Sequence, residues 1–141
     1  MDNEIIRLAK LISYCRHHES QKDRGAQRRL LEKIVSQAET IGIKKPFIYF
    51  LEVDLSERGP EINIGETDIV FVDNQKRLFL VEVKVTTSYH IKYGLIRRQL
   101  HTAHDFFLER YGLAAQLFGA YKKMGSGKII CYCVEPPNHS T

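Results

Sequence analysis

Between Gly65 and Val85 the chain reads GETDIVFVDNQKRLFLVEVKV, a strand-like run that carries Asp68, Glu82 and Lys84, residue types that strands tend to exclude. Two carboxylates and an ammonium have one obvious use when brought together. They offer hard oxygen ligands for a divalent cation beside a fixed positive charge. Whether they come together depends on spacing, because side chains alternate along a strand. Leu78, Leu80, Glu82 and Lys84 share one face of the run 78–86, and Phe79, Val81, Val83 and Val85 the other. In the run 66–73, Glu66 and Asp68 share a face with Val70 and Val72, and Ile69 and Phe71 lie opposite.

Pairing the runs as a hairpin around Asp73-Asn74-Gln75-Lys76-Arg77, with Asp68 across from Glu82, sets Val70 against Leu80 and Val72 against Leu78. On the other face Ile69 meets Val81 and Phe71 meets Phe79. Every cross-strand pair is then apolar with apolar or charged with charged. A slip of one residue would place Asp68 and Glu82 on opposite faces. One face is thus apolar near the turn and acidic at the far end. The run FIYFLEVDL after Pro46 repeats the pattern, with Ile48 and Phe50 ahead of Glu52 and Asp54. If it lies antiparallel to 66–73, its charged end falls beside Glu66. Three strands running out into water explain any one of these patterns. The shared register favours a cation site, because gathered carboxylates repel unless a cation lies between them.

The elements that must hold these residues follow from periodicity. An opening helix over about 3–18 carries Ile5, Leu8, Ile12 and Cys15. A second stripe, Gln27, Leu31, Ile34, Val35, Ala38 and Ile41, ends at Gly42. SERGPEINIG reads as a loop. A long helix over about 92–110 places Ile96, Leu100, Ala103 and Phe107 inward and stops at Gly112. Strands at about 113–121 and 128–134 close the order α-α-β-β-β-α-β-β. With 141 residues this is a single domain, its core at about 24–134, followed by EPPNHST as a tail or the start of a linker.

Composition narrows the class. The formal net charge of +4, with basic residues at Arg16 to Arg29, Arg97-Arg98 and Lys122-Lys123, suits a phosphate-bearing partner. No apolar stretch reaches membrane-span length, so no membrane partner is expected. Cys15, Cys131 and Cys133, three in number and without C-x-x-C spacing, point away from a disulfide framework or a zinc site and toward a reduced, intracellular chain, cytoplasmic or nuclear. Cys131 and Cys133 are expected to share one face of a strand.

Asp68 and Glu82-Val83-Lys84 resemble the signature of the PD-(D/E)xK nuclease superfamily, an acid at a strand start followed by Glu-x-Lys in the next strand. Gly65-Glu66-Thr67-Asp68 is similar to the G-E-x-D variant of small nuclease-like members and relatives of Holliday-junction resolvases. The resemblance covers about 24–134 and implies an α/β fold with a restriction-endonuclease-like α-β-β-β-α-β core behind an extra N-terminal helix. It implies a metal-dependent nuclease, a DNA endonuclease by preference with RNA open, using Mg²⁺ or Mn²⁺. Asp68, Glu82 and the Val83 carbonyl would hold the metal, with Glu66 or Glu52 as a further ligand. Lys84 would hold or deprotonate the attacking water, and Gln99 would organise the site. The catalytic set is then Asp68, Glu82, Lys84 and Gln99.

The family's first core helix often carries a glutamate. Here Glu32 falls on the solvent side of its helix, leaving Gln27 as a weaker substitute or Glu52, Asp54 or Glu66 as the missing carboxylate. That departure keeps a second reading open, a catalytically weak nuclease-fold module that binds nucleic acid or a protein partner. Tyr89, His90, Lys92, Tyr93, Arg97 and Arg98 form a basic, aromatic stretch suited to a nucleic-acid backbone or a frayed base. His101 and His104 are expected to project away from the apolar stripe of the long helix, and His17 and His18 to face different directions. Likeness to resolvases implies a homodimer, with Phe, Leu and Tyr residues of the long helix or last strands as contacts.

Overall fold

The computed structural model describes residues 24–56, 63–86, 92–123, 125 and 127–138. The opening helix, with Cys15, His17 and His18, lies outside the described residues, as do Tyr89 and His90.

Helix α1, Arg24–Ser36, buries Leu31, Ile34 and Val35, the apolar stripe read from its periodicity. It is shorter than the stripe suggests. Ala38–Ile41 form a separate 3₁₀ turn, closed by Gly42 in the left-handed region at φ 91°. The Ser36 and Thr40 hydroxyls donate to the Lys33 and Gln37 carbonyls, a local competition that such side chains offer to the α-helical ladder.

Five strands follow: β1 Ile48–Ser56, β2 Asn63–Val72, β3 Leu78–Thr86, β4 Ala115–Lys123 and β5 Ile129–Val134. They form one mixed sheet in the order β1-β2-β3-β4-β5. Every neighbouring pair is antiparallel except β3 and β4, which run parallel. Parallel neighbours need a crossover, and helix α2, Tyr93–Tyr111, supplies it. Gly112, left-handed at φ 68°, ends α2 by donating its N–H to the Leu108 carbonyl. β2 begins at Asn63, earlier than the loop reading of SERGPEINIG allowed.

The sheet is buried on both faces. On one, Val70, Val72, Leu78 and Leu80 pack with Ile96, Leu100 and Phe107 of α2. On the other, Ile69, Phe71, Phe79 and Val81 pack with Leu31 and Ile34 of α1. The class is therefore α/β, with a five-stranded mixed sheet between helices. Cys131 and Cys133 pair with Ala120 and Phe118 on the α1 side of β5; Cys131 packs against the core there, while Cys133 is exposed.

Two readings are corrected. His104 does not project into solvent but is buried, its Nδ1 at 3.4 Å from Asp105 Oδ1, because the inward face of α2 is wide enough to take His104 between Ala103 and Phe107. His101 is half-buried and bonds the Glu135 carbonyl at 2.8 Å. Phe106 and Phe107 are core residues, which removes them as contacts for a second copy. Among the described residues no helix is long and apolar enough to cross a membrane.

The β2–β3 turn is held by Asp73. One carboxylate oxygen accepts from the Gln75 and Arg77 amides, both at 3.0 Å, and the other from the Arg77 guanidinium at 2.7 and 3.0 Å and the Lys44 amide at 3.3 Å. Arg77 also donates to the Gly42 carbonyl at 2.8 Å, tying the turn to the end of the 3₁₀ segment. Burial pushes the Asp73 carboxyl up, but the hydrogen bonds from Arg77 and the backbone amides outweigh it and hold it below the ordinary value.

Candidate active site

The β2–β3 register is the one that matches side-chain types: Val72 faces Leu78, Phe71 faces Phe79, Val70 faces Leu80 and Ile69 faces Val81. There the ladder stops. β2 continues paired with β1 alone, as far as Asn63 opposite Ser56, and β3 continues paired with β4 alone, as far as Thr86 opposite Lys123. The sheet forks between β2 and β3, and Asp68 and Glu82 stand at the branch point.

Each carboxylate takes a backbone donor that the ladder leaves over. Asp68 Oδ2 accepts from the Val83 amide at 2.8 Å, and Glu82 Oε1 accepts from the Asp68 amide at 3.3 Å. The two hydrogen bonds bridge β2 and β3 where their backbone ladder has ended. Both are buried, Asp68 at 9% and Glu82 at 2% exposure. Burial raises the Asp68 carboxyl, against the opposing hydrogen bond from Val83. Burial and then the Asp68 charge push Glu82 well above the usual carboxylate range. A buried, adjacent acid pair cannot carry two charges without compensation. Lys84, half-buried one strand step beyond, supplies part of it by lowering both acids.

β1 arrives antiparallel as expected, with Asp54 opposite Glu66. Its charged end is arranged differently from the alternation. Glu52 adopts φ 53°, in the left-handed region, and shifts the phase of the strand. Val53 and Leu55, rather than Glu52 and Asp54, join Ile48 and Phe50 on the α2 side. Glu52 is nonetheless buried and near enough for its charge to raise Asp68.

Gly65 and Glu66, ahead of Asp68 on β2, face Leu95, Arg98, Gln99 and Thr102 of α2 across a cleft of about 370 Å³, whose lining does not include Asp68, Glu82 or Lys84. Gln99 is half-buried, and its Oε1 is shielded from water without a hydrogen-bond partner. Lys92 immediately precedes α2, and Tyr93, Arg97 and Arg98 are exposed on its first turns. Gln27 is half-buried on α1, whose packing is against the opposite face of the sheet from the acids. Glu32 is exposed and accepts from the Tyr49 hydroxyl at 3.2 Å.

Three residues absent from the sequence reading stand beside the acids. Gly119 lies opposite Glu82 on β4, Tyr132 lies opposite Gly119 on β5, and Tyr121 lies opposite Lys84. A glycine inside a strand is itself a signal that something approaches the backbone closely. Here a Cβ on Gly119 would run into the Tyr132 ring.

Among the described residues no three His, Cys, Asp or Glu side chains converge to ligate a metal unaided. The donor set at the fork is two carboxylates, which fits a hard cation that keeps several waters and rejects a site needing nitrogen or sulfur. No protein-family model and no curated protein matches the chain.

Proposed function

We propose that the chain is a divalent-metal-dependent nuclease with a restriction-endonuclease-like core, acting on nucleic acid and on DNA by preference. The observation that carries this reading is the buried Asp68–Glu82 pair at the fork of the sheet, with Lys84 beside it. Two carboxylates buried within contact of one another are costly in a protein that never binds a cation there.

Asp68, Glu82 and the Val83 carbonyl would hold Mg²⁺ or Mn²⁺. The cation would supply charge stabilisation at the scissile phosphate and a more acidic water. The chain does the rest. Asp68 and Glu82 are aimed by the amides of the facing strand, so they need little reorganisation to accept a ligand. Lys84 would orient the attacking water and meet the negative charge that builds on phosphate oxygens. Gln99, a residue of the cleft wall whose buried oxygen lacks a partner, would help organise the site by taking a donor there. Arg98, at the cleft, and Arg97 and Lys92 near it provide positive charge for the backbone.

A second reading, a nuclease-fold module that binds nucleic acid without efficient cleavage, is favoured by the lack of a third ligating side chain among the described residues. The test separates the two. Purified protein is incubated with labelled single-stranded, duplex and branched DNA and with RNA, in Mn²⁺, Mg²⁺ or EDTA, beside Glu82→Ala. Cleavage that needs both metal and Glu82 is expected. Binding without cleavage on every substrate would establish the second reading instead.

A further inference from the structure

Beside the acid pair lies an aromatic cluster drawn from three separate elements. Tyr93 opens α2, Tyr121 is on β4 and Tyr132 is on β5. Tyr93 stands edge-on to both others, at 5.2 Å and 75° from Tyr132 and 6.2 Å and 88° from Tyr121. Tyr132 lies across Gly119, a position only glycine leaves open. Gly119 is directly opposite Glu82 and Tyr121 directly opposite Lys84, so the cluster occupies the strand positions next to the candidate catalytic residues.

Packing alone does not account for this choice of residues. A knot whose only task is to pin the start of α2 onto the sheet would cover its rings from water and give any buried hydroxyl a partner. These tyrosines instead bury the Tyr132 hydroxyl without a partner and leave Tyr93 50% exposed. Burial and the neighbouring Tyr93 and Tyr121 hydroxyls push Tyr132 up to about 12, so it remains a neutral donor at working pH. The surroundings are basic: Lys84 faces Tyr121, Lys92 precedes Tyr93, and Lys123 lies close enough to act on the Tyr93 hydroxyl. A tyrosine half open to solvent, ringed by ammonium groups, matches a strand of unpaired nucleotides, whose bases stack and whose phosphates are anionic.

The geometry points to Tyr93, backed by Tyr121 and Tyr132, as a stacking platform for an unpaired nucleobase beside the scissile phosphate, so that the substrate is nucleic acid single-stranded at the cut. This rests on the nuclease reading for the position of the phosphate, but binding can be measured without cleavage. A duplex keeps its bases stacked on one another and has none to offer the platform. An open strand, a flap or a frayed end does.

The experiment is a fluorescence-anisotropy titration of the full chain in EDTA, with labelled 12-nucleotide single strands, the matching duplex and a single strand with abasic sites. Wild type is expected to bind the base-bearing single strand roughly tenfold or more tightly than the abasic strand of equal charge. Tyr93→Leu should lose a similar factor on the base-bearing strand and nothing on the abasic one, and Tyr93→Phe should keep wild-type affinity. Equal binding of base-bearing and abasic strands by wild type overturns the platform whether or not the variants fold, and so does a Tyr93→Leu protein of undiminished affinity. The nuclease reading fails separately, if base-dependent binding is present and no metal supports cleavage. Metal-dependent cleavage with Tyr93→Leu fully active and binding unchanged removes the platform and leaves the nuclease.

Discussion

At the scale of single residues, the acid pair makes a claim about stability as well as about chemistry. Glu82 is pushed well above its ordinary value, first by burial and then by Asp68. A carboxyl raised in the folded state ionises first in the unfolded chain. The contribution of Glu82 to metal-free stability is therefore fully present below the ordinary glutamate value, falls as pH rises past it, and levels off only above the raised one. Glu82→Gln keeps an oxygen to accept from the Asp68 amide and removes the charge. The variant is expected to melt higher than wild type at neutral pH without metal, to lose that pH dependence, and to gain nothing from Mn²⁺. On the proposed function, Mn²⁺ is a ligand of the folded state alone and should stabilise wild type. Thermal melts across pH with and without Mn²⁺ check all of this, and a wild type that melts as high as the variant without metal would speak against repulsion at the fork. On the proposed function, cleavage by Glu82→Gln falls by at least about a hundredfold. Gly119→Ala tests a different contact. The new methyl has no room under Tyr132, so the ring must move, at about 1–3 kcal/mol in chemical denaturation.

At the scale of elements, the hairpin that carries the acids depends on its turn. Asp73 is almost wholly buried and gathers five hydrogen-bond donors from Lys44, Gln75 and Arg77. Asp73→Ala strands the Arg77 guanidinium and opens two turn amides, and should cost about 3 kcal/mol in urea unfolding. Its lowered carboxyl contributes stability that is complete above the ordinary aspartate value and is lost as pH falls through the lowered one. Wild type should therefore lose stability on that acid limb and Asp73→Asn should show less of the loss. The register of this hairpin was legible in the sequence, because period-two alternation and matched side-chain types allow one pairing of Ile69–Val72 with Leu78–Val81 and reject its neighbours. The left-handed turn at Glu52 was not, since nothing in a glutamate announces φ 53° and the strand pattern runs through it without a break. His104 was misread for a related reason. The helix buries a stripe wide enough for a histidine between Ala103 and Phe107, whereas projection from Ile96, Leu100, Ala103 and Phe107 alone draws that stripe too narrow. The tyrosine cluster joins α2, β4 and β5, so only the glycine at position 119 hinted at it beforehand.

At the scale of the whole molecule, a net charge of +4 conceals a separation of charge. Asp68, Glu82 and Glu52 are buried at the fork, whereas Lys92, Arg97 and Arg98 are exposed at the start of α2. On the proposed function, a polyanion approaching this side meets the cations first, and the acids act only through the cation they would hold. Binding of a single strand should accordingly weaken with salt, each neutralised phosphate contributing about 0.7 to the slope of log K against log salt. Replacing Arg97 and Arg98 together by alanine removes two contacts if both touch the backbone. The slope should then drop by about 1.4 and affinity fall on every sequence alike, with no change in melting temperature, because both side chains are exposed. Titrations at several salt concentrations measure slope and affinity together. A lowered affinity with an unchanged slope would mean that the two arginines act through the shape of α2. Loss of slope with the single-strand preference intact would assign charge to the arginines and base recognition to Tyr93, dividing backbone from base along one helix.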